Sequence, residues 1–198
     1  MGARFLDMAG NELPRGGAAL AGLERIEWQR PPALAGIDLV VATDVANPLC
    51  GPDGAARVYA PQKGASPEQV DQLEAALFRY AQVLRRHFGV DFANLPGGGA
   101  AGGLAAGFAA FLGASIQSGF DLVASVTNFH ERLAAADIVV TGEGRFDSQS
   151  AQGKVTGRVI EAGRKAAKPV IVLAGSRLGH GEAEVRPLSS LAPDPASA

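Results

Sequence analysis

The sequence predicts an α/β fold with a parallel sheet, on three observations. Short continuous apolar runs occupy 37–45 (IDLVVATDV), 137–144 (DIVVTGEG) and 169–175 (PVIVLAG), each the length of a strand covered on both faces. The last two flank a helix-like segment, GKVTGRVIEAGRKAA (153–167), and strand, helix, strand at that spacing is a βαβ unit. The composition is that of ordinary globular protein, with 47% hydrophobic and 19% charged residues in 198. A chain of this size buries roughly 70% of its unfolded surface.

In chain order, ARFL (3–6) predicts a strand and DMAGNEL (7–13) a turn with Gly10 and Asn11 at its tip. A short helix over 17–23 precedes an alternating, half-buried strand over 24–29, which Pro31 and Pro32 close. The strand at 37–45 leads into a Gly- and Pro-rich polar loop over 46–66. The clearest helix covers 66–88: Ser66 is the N-cap, Pro67 the first helical residue, and Gln69 completes a capping box. Val70, Leu73, Leu77, Tyr80 and Leu84 form its apolar stripe, Arg85, Arg86 and His87 suit the negative end of the helix dipole, and Gly89 stops it. A glycine-rich turn at 94–103 feeds a small-residue helix, and one or two further helices, with Ser118 as a cap, reach the strand at 137. Beyond Gly175 no period survives, so 176–198 reads as a low-order tail.

The net charge of -2, with Arg spread along the chain, leaves no electrostatic footprint for nucleic acid, and 6% aromatics offer few stacking platforms. No stretch approaches the roughly 20 apolar residues of a membrane span, and the first ten residues lack a signal-peptide pattern. A lone Cys50 makes no internal disulfide and suits a reducing cytoplasm.

Three segments carry candidate chemistry. VVTGEGRFDSQSAQGK (139–154) places Glu143, Arg145 and Asp147 in a loop after a buried strand, beside Gly142 and Gly144, with Lys154 near the next helix. Phosphoryl transfer uses such a set: carboxylates for Mg²⁺ or a hydroxyl proton, a cation for the transferred group, and glycines that let backbone N–H groups approach phosphate. It is not a Walker A loop, and a solvated turn with a surface ion pair is the competing reading. In 42–66, Asp44 ends a buried strand, where an unpartnered carboxylate is costly. Asn47 suits either a ligand or an Asx turn, and Lys63 either an anion or solvent. In 96–103, Gly98, Gly99, Gly102 and Gly103 either present backbone donors to an anion or permit close helix packing. Cys50 has no metal-ligand spacing with any His, and no G-x-G-x-x-G marks a dinucleotide site.

Taken in order, TDVANPLCGPDGAARVYAPQKGAS, LPGGGAAGGLAAG and VVTGEGRFDSQSAQGK resemble the class I glycerate kinases, over about 3–175. The resemblance implies a two-domain α/β fold, a Rossmann-like parallel sheet plus a smaller mixed α/β domain. Residues 1–130 would be mainly the mixed domain and 131–175 the βαβ part of the other. It implies ATP with Mg²⁺ as donor, glycerate as acceptor and 2-phosphoglycerate as product. By similarity Asp44, Asn47, Lys63, the glycine turn, Glu143, Arg145 and Asp147 would meet in an interdomain cleft. Chemistry then assigns, as a hypothesis, Asp147 or Asp44 as base on the hydroxyl, Glu143 near Mg²⁺, and Lys63 or Arg145 on a carboxylate or the γ-phosphate. Members are roughly twice as long, and a glycine-rich N-terminal loop of the family has no counterpart here. The chain therefore reads as a fragment, either an inactive remnant or a subunit whose missing N-terminal half comes from a second chain.

Overall fold

The computed structural model describes residues 2–146, 155–177 and 184–188. The chain divides into two compact units between Ser118 and Gly119. Residues 119–130, grouped with the first domain by sequence, thus pack within the second unit.

In the first unit, β1 (Arg4–Leu6) pairs antiparallel with β2 (Arg25–Glu27), Phe5 opposite Ile26. The predicted turn between them is held by Asp7, whose carboxylate accepts the Asn11 N–H at 2.8 Å. Gly17–Gly22 is a single 3₁₀ segment. Next come β3 (Val40–Thr43), α1 (Ala55–Tyr59), α2 (Pro67–Phe88), α3 (Ala100–Leu112) and β4 (Ser115–Ser118). The capping box of α2 is formed as predicted: the Gln69 N–H donates to Ser66 Oγ and the Ser66 N–H to Gln69 Oε1. Gly89 ends the helix at φ +72°.

The apolar stripe of α2 drives the packing of this unit. Val70, Leu77, Tyr80 and Leu84 are buried, joined by Val83 and by Leu23 and Leu49 from the loops. Edge-to-face aromatic contacts line the core, Trp28 to Phe111 at 5.4 Å and Phe88 to Phe111 at 5.2 Å.

Three sequence expectations fail here. The 37–45 run is not an interior strand: β3 has four residues, pairs among the described residues only with β4, in parallel, and leaves Val40 42% exposed. The polar 46–66 loop contains α1 and a 3₁₀ turn at Pro61–Lys63. Residues 115–118 form β4 instead of leading into a helix, because pairing with β3 outweighs the weak local preference of SIQS.

The second unit holds α4 (Gly119–Val126), α5 (Phe129–Ala135), β5 (Val139–Phe146), α6 (Val155–Lys165), β6 (Val170–Arg177) and β7 (Glu184–Pro187). Among the described residues its strands run parallel in the order β5, β6, β7, so the predicted βαβ unit is present. Phe146, Val172, Ala174 and Val185 make its core, with Ile160 of α6 against them. β7 falls inside the stretch read as a low-order tail; its pairing with β6, non-local in origin, leaves no periodic signal in four residues.

Candidate active site

In the first unit, backbone hydrogen bonds join two of the sequence motifs. The Gly97 N–H donates to the Ala46 carbonyl (3.1 Å), Gly99 to Asn47 (3.0 Å) and Cys50 to Ala93 (3.1 Å). The approach is close enough to require glycine. A Cβ on Gly99 would stand 2.3 Å from the Pro48 carbonyl oxygen, and one on Gly103, at φ +98°, 2.6 Å from Leu49 Cδ1.

The same contacts support the packing reading of the glycine turn. The N–H groups of Gly98, Gly99, Gly102 and Gly103 all donate to carbonyls of their own unit, at 2.8–3.3 Å, so they are engaged in holding the turn. Packing accounts for Gly98, Gly99 and Gly103, which are buried, while Gly102 is exposed. The turn enters α3 through left-handed residues Ala101, Gly102 and Gly103, at φ 51°, 71° and 98°.

Asn47 is likewise committed to its own loop. Its Nδ2 donates to the Asp53 carbonyl (2.8 Å) and its Oδ1 accepts the Tyr59 hydroxyl (2.6 Å). Glu74, reaching from α2, accepts the Gly51 N–H at 2.6 Å and pins the same loop. Cys50 is enclosed beneath it, and burial, reinforced by Glu74 and Asp91, pushes its thiol up to about 12, which removes it as a nucleophile near neutrality.

A cavity of about 670 Å³ adjoins this junction, walled by β3 and by the start of α3, and also lined by Tyr59, Gln62 and Lys63. Lys63 is exposed, and no carboxylate among the described residues pairs with it. Asp44 is exposed as well, so the desolvation argument for a functional carboxylate at that position does not hold.

In the second unit β5 continues through Phe146, so Glu143 and Arg145 sit within the strand and not in a loop after it. Two apart, they share a face of the sheet. Glu143 is half-buried, with Oε1 closed off from solvent, and Arg145 is exposed. Gly142 lets β6 approach, since a Cβ there would lie 2.8 Å from the Leu173 carbonyl oxygen; Gly144 has open space around it. Asp147 and Lys154 lie outside the described residues.

Sequence reasoning missed Tyr59 and Glu74. Glu74 had a signal: four residues after Val70 and three before Leu77, it stands in the apolar stripe of α2, where a carboxylate implies a fixed partner. Tyr59 had only the helix-forming AARVY run ahead of Pro61.

The profile of the Glycerate kinase family matches residues 1–191. A glycerate kinase of Halalkalibacterium halodurans is 44% identical over 182 residues, 91% of this chain and 48% of that protein. The glycerate 2-kinase of Escherichia coli K12 is 44% identical over 177 residues, 89% of this chain and 46% of that one. A crystal structure described as glycerate kinase 2 from Salmonella typhimurium LT2 superposes with a TM-score of 0.78 at 43% identity, covering 94% of this chain and 50% of its own. The chain spans about half the length of the relatives it matches.

Proposed function

Because the chain belongs to the glycerate kinase family, we propose that it serves the ATP-dependent phosphorylation of glycerate to phosphoglycerate, the 2-phospho isomer. The observation that carries this reading is the cavity beside the joined 46–54 and 97–103 motifs, with the exposed Lys63 on its wall. An ammonium there meets the carboxylate of glycerate or the γ-phosphate. In the second unit, Arg145 and Lys154 are the cations whose chemistry suits an anionic substrate. In the transfer step a glycerate hydroxyl gives its proton to a carboxylate, Asp147 or Asp44, and its oxygen attacks the γ-phosphorus as ADP leaves.

Mg²⁺ would arrive with ATP. No group of three His, Cys, Asp or Glu that could hold a metal occurs among the described residues, but Mg²⁺ commonly takes one or two carboxylates and completes its shell from phosphates and water. Glu143, half-buried with one oxygen enclosed, fits that single-anchor role. The ion would neutralise charge on the β- and γ-phosphates. Asn47 acts by shaping its loop, and Gly142 and Gly144 by keeping β5 bare where a ligand would approach.

No helix among the described residues is long and apolar enough to cross a membrane. The enclosed, unpaired Cys50 fits action in the cytoplasm. The chain matches about half of each relative, and a second reading is that it works together with the rest of the family's polypeptide, on the same chain or on a partner.

The test is ADP release with Mg-ATP, with and without D-glycerate, by the chain alone and by the chain co-expressed with the remaining half of a relative. Glycerate-dependent release that falls at least tenfold in Glu143→Gln supports the kinase reading. Folded, complemented protein that releases no ADP in response to glycerate overturns it.

A further inference from the structure

Four side chains that line the cavity can hydrogen-bond: Thr43, Tyr59, Gln62 and Lys63. Three of them are engaged or one-sided. Asn47 Nδ2 donates to the Asp53 carbonyl, which turns Asn47 Oδ1 to the Tyr59 hydroxyl, so the Tyr59 proton is spent on the loop. Thr43 Oγ1 accepts the Val45 N–H at 3.2 Å. Lys63 carries donors alone.

Gln62 differs from these. Its Nε2 reaches the carbonyl of Val58 in α1 at 3.4 Å, and a carbonyl only accepts, so the amide stands with Nε2 toward the helix and Oε1 turned away from it. That oxygen meets no donor among the described residues. The turn that carries it is fixed: Pro61 opens it, and the N–H groups of Lys63 and Gly64 donate to the Ala60 and Pro61 carbonyls, both at 3.0 Å. An amide acceptor and an ammonium thus enter one cavity from adjacent residues, beside the apolar Leu104 and Phe108.

Glycerate carries a carboxylate and two hydroxyls. The reacting hydroxyl gives its proton to a base, and an amide is no base, so Gln62 suits the hydroxyl that stays. With a 2-phospho product that is the hydroxyl on C3. We propose that Gln62 is a specificity-determining residue: its Oε1 accepts a hydrogen bond from the C3 hydroxyl while Lys63 holds the carboxylate, which selects glycerate over 2-hydroxy acids that lack the C3 hydroxyl. The proposal rests on the reading of this cavity as the site of glycerate. An acceptor placed for a hydroxyl rejects the analogue without one, and because Gln62 is exposed the preference is about tenfold, far below that of a closed site.

The complemented protein of the kinase test is assayed for ADP release with D-glycerate and with D-lactate, which has the C2 hydroxyl and no C3 hydroxyl. The ratio kcat/KM should favour D-glycerate by about tenfold. Gln62→Met, equal in reach and without the amide oxygen, should lose that preference through a higher KM for glycerate, with kcat/KM for lactate unchanged within about twofold. Gln62→Glu keeps an acceptor and should keep the preference, although its charge weakens both acids. Trp28 emission and circular dichroism check the fold of each variant, and Gln62→Leu replaces a misfolded Gln62→Met. Equal losses on both acids, an unchanged preference in Gln62→Met, or no preference in the parent overturns the proposal. If no protein releases ADP, the kinase reading fails by itself, and calorimetric titration of the folded chain with the two acids decides the role of Gln62. A preference for D-glycerate that Gln62→Met removes upholds the proposal, and equal binding or none overturns it.

Discussion

The two units bury their apolar residues differently. In the first, Leu23, Leu49 and Leu84 are fully enclosed, from two loops and α2, with an aromatic layer of Phe5, Trp28, Phe88 and Phe111 around them. In the second, among the described residues, Val172 and the small Ala174 reach that depth, while Val140 and Leu173 on the opposite face of the sheet are 58% and 43% exposed. A long amphipathic helix can close a core with what lies near it in sequence. A parallel sheet presents two faces and needs a layer on each.

The sharpest way to break this contrast is to cut a hole in each core. Leu84→Ala should cost about 2–5 kcal/mol. Val172→Ala removes two methyl-sized groups, each worth about 0.8 kcal/mol in transfer alone, from a core with fewer neighbours. Trp28 is the chain's sole tryptophan and packs in the first core, so its fluorescence reads that unit while circular dichroism reads both. Leu84→Ala should move the fluorescence midpoint in urea, and Val172→Ala only the dichroism. Coincident shifts in both variants would show that the units unfold as one.

A smaller effect should come from Gly99→Ala. Its new methyl would meet the Pro48 carbonyl oxygen, which is backbone and cannot swing aside, and overpacking of this kind costs about 1–3 kcal/mol. The loss should appear in Trp28 fluorescence melts. Gly144→Ala, in open space on β5, should leave the dichroism melt within about 0.5 kcal/mol of the parent. If Gly99→Ala is equally silent, the two motifs are not held together as tightly as their hydrogen bonds indicate.

The same contrast explains what could be read in advance. The α2 helix was legible to its cap because the signals are local: Ser66, Pro67 and Gln69 at one end, Gly89 at the other. The βαβ unit was legible from the spacing of two apolar runs. β4 and β7 were not, since SIQS and EVRP become strands only through partners distant in sequence. At the candidate site, the motifs named segments but not the local contacts each residue makes. Asn47 and the glycines carry backbone geometry, which depends on Asp53, Tyr59 and Pro48 meeting them, and no pattern in the chain announces those contacts.

An effect of a different kind separates the units at alkaline pH. Burial pushes Tyr80 from 10.0 up to about 12 and Cys50 from 9.0 up to about 12, and both lie in the first unit. The folded state then holds these protons more tightly than the unfolded chain. Stability from that difference is present in full below about pH 9, and is lost as pH rises from there toward 12. The acid side does not discriminate, because hydrogen bonds lower carboxyls in both units, Asp7 and Glu68 in one and Glu161 in the other. Thermal melts followed by Trp28 fluorescence should therefore fall progressively between pH 9 and 11, and Cys50→Ala should shrink the fall without removing it, since Tyr80 remains. A fluorescence transition that stays level across that range would mean that neither group is held away from water as the fold requires.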